Sequence, residues 1–266
     1  MATTLGKYVS KLAGKRVLVI GGTSGIGFGV AEASVQSGAA SVIISSSSQT
    51  KISSALERLQ SSNTSGTSQL LGFPCNLSSP DTLNSEVEKL FAETAKTGKL
   101  DHVVFTAGDA LLVGKLEDLK LDAIRQAGTV RFFGPLVVAQ QLRKHLNESS
   151  TSSFTITTGG ATEHVSKDWA VILSYLSGLR GMTRGLAVDL APIRVNAVAL
   201  GPTETEIWSH VKEMGWWDNV TTRMKGRMTT GAIGQVEDVV EAYLYLMKDK
   251  NASGSIVETT GGTLLS

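Results

Sequence analysis

The stretch Val17-Leu-Val-Ile-Gly-Gly-Thr-Ser-Gly-Ile-Gly27 decides the fold of this chain. Its four leading residues are apolar, which predicts a strand buried on both faces, and its glycines follow at the spacing Gly-x-x-x-Gly-x-Gly. Glycines between a strand and a helix permit a tight turn and let backbone N–H groups approach a pyrophosphate at the helix N-terminus. The pattern predicts a dinucleotide site. The alternative is a loop of the same form that no longer binds a dinucleotide. The predicted binding residues are Gly21, Thr23, Ser24, Gly25, Ile26 and Gly27.

Short apolar runs of the same kind recur along the chain, with helical segments between them. Further strands are predicted at residues 42–44, 103–105, 154–157, 195–200 and 255–257, and helices at 25–37, 53–60, 80–94, 121–146 and 172–191. This alternation indicates a Rossmann-like α/β fold, in which a doubly wound parallel sheet forms the middle layer of a three-layer sandwich. The polar stretches 61–68 and 149–153 are too short for domain linkers, so one domain is expected over residues 1–266.

Composition narrows the class of protein. The chain has 266 residues, of which 41% are hydrophobic and 18% charged, enough for a sizeable core. Its net charge of +1 gives no electrostatic reason to expect a nucleic acid or an acidic membrane as partner. The single cysteine, Cys75, excludes an internal disulfide, and the first apolar run is far too short for a membrane span. A soluble cytoplasmic protein is therefore expected.

The end of the second predicted strand indicates which dinucleotide is bound. An NAD site would place a carboxylate there to bind the ribose hydroxyls, but the sequence is Ser45-Ser-Ser-Ser-Gln-Thr-Lys51 and the next acid is Glu57. Hydroxyl groups and a lysine suit a 2′-phosphate better, so NADP(H) is predicted, with contacts from Ser45, Ser46, Ser47 and Lys51. The alternative is a solvated serine turn.

The sequence resembles the short-chain dehydrogenase/reductase family along nearly its whole length. The loop 21–27 matches that family's cofactor loop, Asp101-His-Val-Val-Phe-Thr-Ala-Gly108 resembles its strand ending in Asn-Asn-Ala-Gly, and Gly261-Gly262 matches its C-terminal glycine pair. Asn76-Leu77 falls at the family's adenine position, and Gly201-Pro-Thr-Glu-Thr205 resembles the loop that covers the nicotinamide. The resemblance implies further cofactor contacts from Asn76, Leu77, Ala107, Gly108, Gly201, Pro202, Thr203 and Thr205.

The resemblance breaks at the four residues that carry the family's chemistry. In that family Tyr, aided by Lys, protonates a carbonyl oxygen as hydride arrives, and Ser holds that oxygen. Counting from the flanking matches puts Arg131 at the Asn position, Gly159 at Ser, Ile172 at Tyr and Leu176 at Lys. The chain therefore lacks a tuned phenol for ketone reduction. Tyr175 is close by, but its neighbour four residues on is apolar, so a packing role is predicted for it.

Two polar residues are predicted to take over as catalytic groups. Arg131 occupies a former catalytic position, where a guanidinium could bind a carbonyl oxygen or a carboxylate; the alternative is an ion pair with an acid such as Asp109. Asp168 lies in the loop that walls the family's substrate and could move a proton; the alternative is a helix N-cap. Lys167 and His164 of the same loop are expected to be solvated.

All four tryptophans fall in segments that border the substrate in that family. Trp169 lies in the wall loop, and Trp208, Trp216 and Trp217 lie in the stretch that forms the family's lid. Together with Gly159 they are predicted to bind the substrate, which would then be a large, flat, apolar small molecule. The alternative is ordinary core packing.

The replaced residues, the arginine and the Asp-Trp loop also resemble a narrower group, the fungal reductase/Diels–Alderases of prenylated indole alkaloids, as in malbrancheamide and citrinadin-type pathways. That resemblance implies NADPH-dependent reduction or isomerisation of a cationic iminium or azadiene, followed by intramolecular cyclisation. An imine reductase without cyclase activity and a non-catalytic NADP(H)-binding interaction protein remain as alternatives. The family's habit of pairing the helices 121–146 and 172–191 implies a homotetramer.

Overall fold

A seven-stranded parallel sheet runs through the middle of the molecule in the order β3-β2-β1-β4-β5-β6-β7. The computed structural model describes residues 6–8, 10–64, 66–160 and 165–265, so His164 lies outside the described residues. The strands are β1 (Arg16–Ile20), β2 (Ser41–Ser46), β3 (Gln69–Pro74), β4 (His102–Phe105), β5 (Ser153–Gly159), β6 (Arg194–Leu200) and β7 (Ile256–Thr259). The predicted α/β fold is confirmed, and β3 is a strand that was not predicted.

Helices cover both faces of the sheet. They are α1 (Gly25–Gln36), α2 (Gln49–Ser62), α3 (Leu83–Ala95), α4 (Leu121–Gly128), α5 (Gly134–His145), α6 (Ala170–Asp189), α7 (Ser209–Glu213), α8 (Trp217–Lys225) and α9 (Val236–Lys248). Strand residues alternate between two apolar cores: Leu18 of β1 packs with α3, α5 and α6, while Val17 and Val19 pack with α1, α2 and α9. The sandwich of three layers follows from this alternation.

The helix predicted over residues 121–146 is interrupted. Residues Thr129–Phe133 form a π-turn between α4 and α5, in which the amide of Gly134 donates to the carbonyl of Thr129, five residues back. A π-turn adds one residue to the helical turn and is frequently found at functional sites. Arg131 is the central residue of this turn, so the interruption changes the direction in which a predicted catalytic side chain points.

The order of the strands fixes where a ligand can bind. The winding of the sheet reverses between β1 and β4, which are hydrogen-bonded neighbours with Ile20 level with Phe105. Ligands of open parallel sheets bind in the crevice at the carboxyl ends of the strands at such a point. The loops that follow β1, β2 and β4 therefore border the candidate site.

Candidate active site

The glycine loop lies directly on the end of β4. Gly21 has a φ of +92°, and a Cβ there would come 2.6 Å from the amide nitrogen of Ala107. A Cβ at Gly27 would collide with the Gly21 carbonyl and the Thr106 hydroxyl. Thr106 Oγ1 donates to the carbonyl of Ile20 at 3.1 Å. The close contact between loop and strand needs glycine at both positions, and it makes residues 107–108 the border of the loop.

The loop ends in amides that can hold an anion. α1 begins at Gly25, and Ser24 precedes it in extended conformation without a side-chain capping bond. Within the described residues, the amides of residues 25–27 have no hydrogen-bond acceptor. Thr23 and Ile26 are half-buried beside them, and Ser24 is exposed. Unpaired amides at the positive end of a helix dipole fit the pyrophosphate of a dinucleotide.

The carboxyl end of β2 presents hydroxyl groups and a lysine. Ser45 is buried, and its Oγ has no hydrogen-bond partner among the described residues. Ser46 is half-buried and Ser47 exposed. Ser48 caps α2 by accepting a hydrogen bond from the amide of Lys51 at 3.3 Å, and Lys51 is exposed in the first turn of that helix. The lysine beside a helix N-terminus favours a dianionic group, so these residues fit a 2′-phosphate.

Two further predicted cofactor residues lie beside this edge. The amide of Cys75 donates to the carbonyl of Ser46 at 2.9 Å, which holds residues 76–77 next to β2. Asn76 is exposed, and its Oδ1 accepts hydrogen bonds from the amide and hydroxyl of Ser78 at 3.1 and 2.8 Å. Leu77 is buried in the core. The carboxamide is therefore oriented by its own loop.

The loop 201–205 is held against the glycine loop from the other side. The amide of Gly201 donates to the carbonyl of Thr259, and Pro202 and Glu204 exchange backbone hydrogen bonds with Gly234. Thr203 is buried. The side chain of Thr205 lies 3.4 Å from the place where a Cβ of Gly25 would be. The loop predicted to cover the nicotinamide thus ends beside the N-terminus of α1.

The four positions of the replaced tetrad come together. Arg131, Ile172 and Leu176 line one small pocket, and a Cβ on Gly159 would lie 2.9 Å from Cδ1 of Leu176. Arg131 is the one charged residue among the described residues that line this pocket. The others are Ala110, Leu111, Leu112, Ala127, Tyr175 and Leu179. The placement by counting therefore puts three of the four positions in one apolar pocket and the fourth in contact with it.

Arg131 is held by its neighbours on the 108–109 segment. Its Nε lies 3.3 Å from Oδ1 of Asp109, and its Nη2 donates to the Asp109 carbonyl. The guanidinium lies flat against Gly108, where a Cβ would come within 2.7 Å of Cζ. Burial lowers the pKa of Arg131, and the carboxylate of Asp109 partly offsets this by raising it. The ion pair expected as an alternative is present, and it leaves Nη1 without a protein partner in the described residues.

Asp168 has the one left-handed backbone among the described residues other than glycine, with a φ of +66°. Its carbonyl accepts a hydrogen bond from the amide of Gly114 at 3.1 Å, which joins the wall loop to the segment after β4. The N-cap of α6 is Trp169, with no side-chain capping bond, so the expected alternative of an Asp168 cap is wrong. Strained backbone of this kind persists only where surrounding structure holds it, and it concentrates at functional sites.

The tryptophans divide into two groups. Trp169 is half-buried at the start of α6, and Trp216 is exposed. Trp208 and Trp217 pack against each other with ring centres 5.9 Å apart, and Trp208 Nε1 donates to the Thr203 carbonyl at 2.9 Å. Lys212 lies over the Trp217 ring. These contacts favour a structural role for Trp208 and Trp217 within the lid, whereas Trp169 and Trp216 make no such ring contact in the described residues.

A second groove, of about 650 Å³, lies on the far side of α1. It is bordered by Phe28 and Glu32 of α1, Arg58 of α2, Thr205 of the loop 201–205 and Glu237 of α9. None of the replaced tetrad positions lines it. In the described part of the chain, no helix is long and apolar enough to cross a membrane, and no cluster of acidic, histidine or cysteine residues could hold a metal ion.

Known proteins are similar to this chain along nearly its whole length. The family model described as "SDR-like rossmann domain" matches residues 8–266. The short-chain dehydrogenase/reductase fsr5 of Gibberella fujikuroi is 81% identical over 263 residues, covering 99% of each chain. The short-chain dehydrogenase/reductase malC of Malbranchea aurantiaca is 36% identical over 258 residues, covering 96% of each.

Solved structures of similar proteins have the same fold. The MalC reductase/Diels–Alderase of Malbranchea aurantiaca superposes with a TM-score of 0.93 at 35% identity, covering 98% of this chain and 100% of that one. A short-chain dehydrogenase from Burkholderia cenocepacia in complex with NADP superposes with a TM-score of 0.78 at 25% identity, covering 95% and 99%. The overall fold is thus shared with these enzymes.

Proposed function

The chain belongs to the short-chain dehydrogenase/reductase family of oxidoreductase-like enzymes, and on that premise we propose an NADP(H)-dependent reaction on a substrate that is already cationic. The substrate is an iminium or azadiene intermediate of a prenylated indole alkaloid. The enzyme reduces or isomerises this cation and closes it by a stereoselective intramolecular Diels–Alder reaction. The similarity to MalC, a reductase/Diels–Alderase, supports the cyclisation step.

One observation carries the proposal. The places of the family's Tyr, Lys and Asn are occupied by Ile172, Leu176 and Arg131 around one apolar pocket. A ketone accepts hydride efficiently only when an acid protonates its oxygen. The one phenol that lines this pocket in the described residues, Tyr175, donates its proton to the carbonyl of Ile124 at 2.9 Å. A carbon–nitrogen cation gives a neutral amine on hydride addition and needs no proton there. The site therefore suits a cation better than a ketone.

The contact between Arg131 and Asp109 explains how a guanidinium can coexist with a cationic substrate. The carboxylate lies 3.3 Å from Nε, so the pair is close to neutral. Because Nη1 is not used by the protein in the described residues, it can donate to a carbonyl oxygen of the substrate. We assign Arg131 this role: it holds the substrate's amide or ketone oxygen and stabilises charge that develops on it.

Asp168 is assigned the proton transfer that the isomerisation requires. Its left-handed backbone and the Gly114 hydrogen bond hold it at the junction of the two loops that border the site. Trp169 follows directly and offers an apolar plane for an indole ring. Fixing one folded conformer is the main requirement of an intramolecular cycloaddition, because orientation alone can supply several kcal/mol of the barrier.

The cofactor fits the residues on the opposite side of the pocket. The amides of residues 25–27 would hold the pyrophosphate of NADP(H), Ser46, Ser47 and Lys51 its 2′-phosphate, and the loop 201–205 its nicotinamide. When bound, NADPH supplies the hydride. The Burkholderia relative, solved with NADP, supports this choice. A cytoplasmic homotetramer is part of the same proposal.

Reduction of an imine without cyclisation is the second candidate. It is favoured by the contact between Trp208 and Trp217, because rings that pack on each other are not free to shape a large substrate. The two candidates differ in the product that they make: an open amine or a bridged polycycle.

The test uses a synthetic indole iminium that carries a tethered alkene, with NADPH and separately with NADP⁺. Asp168→Asn keeps the size of the side chain and removes the base, so turnover should fall roughly 100-fold. Arg131→Ala should lower turnover by about 100-fold and also reduce product selectivity. Chiral chromatography measures both.

Two exposed residues provide matched controls for this test. Asp189→Asn at the end of α6 and Arg125→Ala in α4 change the same charges away from the pocket and should leave the products unchanged. Equal rates and enantiomeric ratios for wild type, Asp168→Asn and Arg131→Ala would show that both residues are structural. An open amine as sole product would select the second candidate.

A further inference from the structure

Phe132, Phe133 and Tyr175 form an aromatic cluster beside the pocket. None of these three residues occupies a position of the replaced tetrad. We propose that Tyr175 is a positioning residue that holds the π-turn of residues 129–133 and thereby aims Arg131 into the pocket. Its consequence for catalysis rests on the proposed function, in which Arg131 binds a substrate oxygen. The contacts of Tyr175 with the π-turn do not depend on what the enzyme acts on.

The π-turn is the element that needs support. The bond from the Gly134 amide to the Thr129 carbonyl spans five residues instead of four, so the ladder of the helix changes register at Arg131. The last turn of α4 is fixed from outside the ladder: the Ile124 carbonyl accepts from the Tyr175 hydroxyl at 2.9 Å, and the Arg125 carbonyl accepts from Thr129 Oγ1 at 3.2 Å. These two side-chain hydrogen bonds pair backbone carbonyls next to the change of register.

Tyr175 contacts the π-turn at both of its ends. Its ring lies where a Cβ of Gly128 would be, with Cζ 2.5 Å from that position. Its ring centre is 5.3 Å from Phe132 and 6.3 Å from Phe133, the two residues that follow Arg131. The residues before and after the arginine are thus both packed against one side chain of α6. Phe132 in turn occupies the space over Gly178 on the same helix.

The hydroxyl of Tyr175 is committed to this structural bond. Its proton is donated to the Ile124 carbonyl, which points the phenol along α4 and away from proton transfer to a ligand. Tyr175 lines the same pocket as Arg131, so its ring forms part of the apolar wall. Tyr175 therefore affects catalysis by fixing the direction of the Arg131 guanidinium. It does not replace the family's catalytic acid.

The first experiment measures Arg131 directly and does not depend on turnover. Phenylglyoxal modifies guanidinium groups, and mass spectrometry gives the rate at each arginine of the full-length protein. Tyr175→Phe removes one hydrogen bond and keeps the ring, so the rate at Arg131 should rise about fivefold. Gly128→Ala displaces the ring and should produce the same change. The rate at the exposed Arg223 of α8 should stay constant.

Tyr243→Phe is the matched control. Tyr243 is fully buried, whereas Tyr175 is half-buried, and the hydroxyl of Tyr243 lies 2.7 Å from Thr157 Oγ1 on the opposite face of the sheet. Its removal costs a buried hydrogen bond without touching the π-turn, so the labelling rate at Arg131 should not change. Should Arg131 label at the wild-type rate in both Tyr175→Phe and Gly128→Ala, the proposal is overturned.

The second experiment asks whether Tyr175 acts through Arg131. With the indole iminium as probe, Tyr175→Phe should lower turnover about fivefold in the wild-type background. In the Arg131→Ala background it should cause no further loss, because residues that act through one contact are not additive. Equal losses in both backgrounds would contradict a positioning role. If the wild type does not convert the probe, the proposed function fails, while the labelling result still decides the role of Tyr175.

Discussion

The two sides of the crevice to which we assign the cofactor and the substrate are built from different parts of the chain. On the cofactor side, the groups that would touch the ligand are mostly backbone amides, held by the close approach of Gly21 and Gly27 to β4. On the substrate side they are side chains: Arg131, Ile172 and Leu176 around the pocket. A site made of backbone is fixed by the order of the strands and the position of its glycines. A site made of side chains can change its chemistry by four substitutions without any change in fold.

This difference is tested most severely by restoring the lost side chains. The variant with Arg131→Asn, Gly159→Ser, Ile172→Tyr and Leu176→Lys should reduce simple ketones with NADPH about 1,000-fold faster than the background rate seen with the wild type, because general acid catalysis returns. Loss of NADPH absorbance measures it. The triple variant that keeps Ile172 serves as control and should stay inactive. A folded quadruple variant that binds NADPH but reduces no ketone would mean that the two sides are not independent.

We expect one added methyl group in the glycine loop to weaken cofactor binding. In Gly27→Ala the new Cβ meets the Gly21 carbonyl and the Thr106 hydroxyl, so the loop must move away from β4. NADPH affinity, measured by fluorescence titration, should fall about 100-fold, the equivalent of close to 3 kcal/mol. Gly226→Ala places a methyl group in ordinary contact at the end of α8 and should bind as wild type. Unchanged affinity in Gly27→Ala would refute the assignment of the loop.

The smallest expected effect concerns the choice of cofactor. Lys51→Ala removes the exposed charge beside the N-terminus of α2, so NADPH should bind about tenfold more weakly while NADH affinity stays the same. Titration of both cofactors gives the ratio. Lys250→Ala, which removes an exposed lysine far along the chain, should change neither. Tighter binding of NADH than of NADPH by the wild type would show that the serines at the end of β2 do not bind a phosphate.

Most of the fold could be predicted from local pattern. Buried parallel strands are short and wholly apolar, so six of them stand out, and the glycine loop marks the junction of the first strand and the first helix. β3 was missed because it lies at the edge of the sheet, where Leu70, Leu71 and Phe73 are only half-buried. Gly72 interrupts the apolar run of this strand, and a glycine is needed there because Ile52 of α2 occupies the space of a Cβ. α9 was also not expected, although its apolar residues recur at helical spacing.

The candidate site was less predictable. The positions of Arg131, Gly159, Ile172 and Leu176 could be found by counting, because the flanking motifs are rigid. The π-turn could not, since a change of register within a helix depends on contacts with another helix, here Tyr175. Pro135, in the first turn of α5, was the local signal that a new helix begins there. The mutual packing of Trp208 and Trp217 likewise depends on how the lid folds.

The hydrogen bond between the Gly114 amide and the Asp168 carbonyl has a practical consequence for exchanging parts between relatives. It joins two segments that are more than fifty residues apart in sequence, each without regular structure at that point. A chimera that takes only one of these segments from a relative lacks the other segment to which it is hydrogen-bonded. Either the amide donor or the carbonyl acceptor is then left without its partner. The two loops are therefore one transplantable unit, and recombination of substrate preference between such enzymes should move residues 109–118 and 165–169 together.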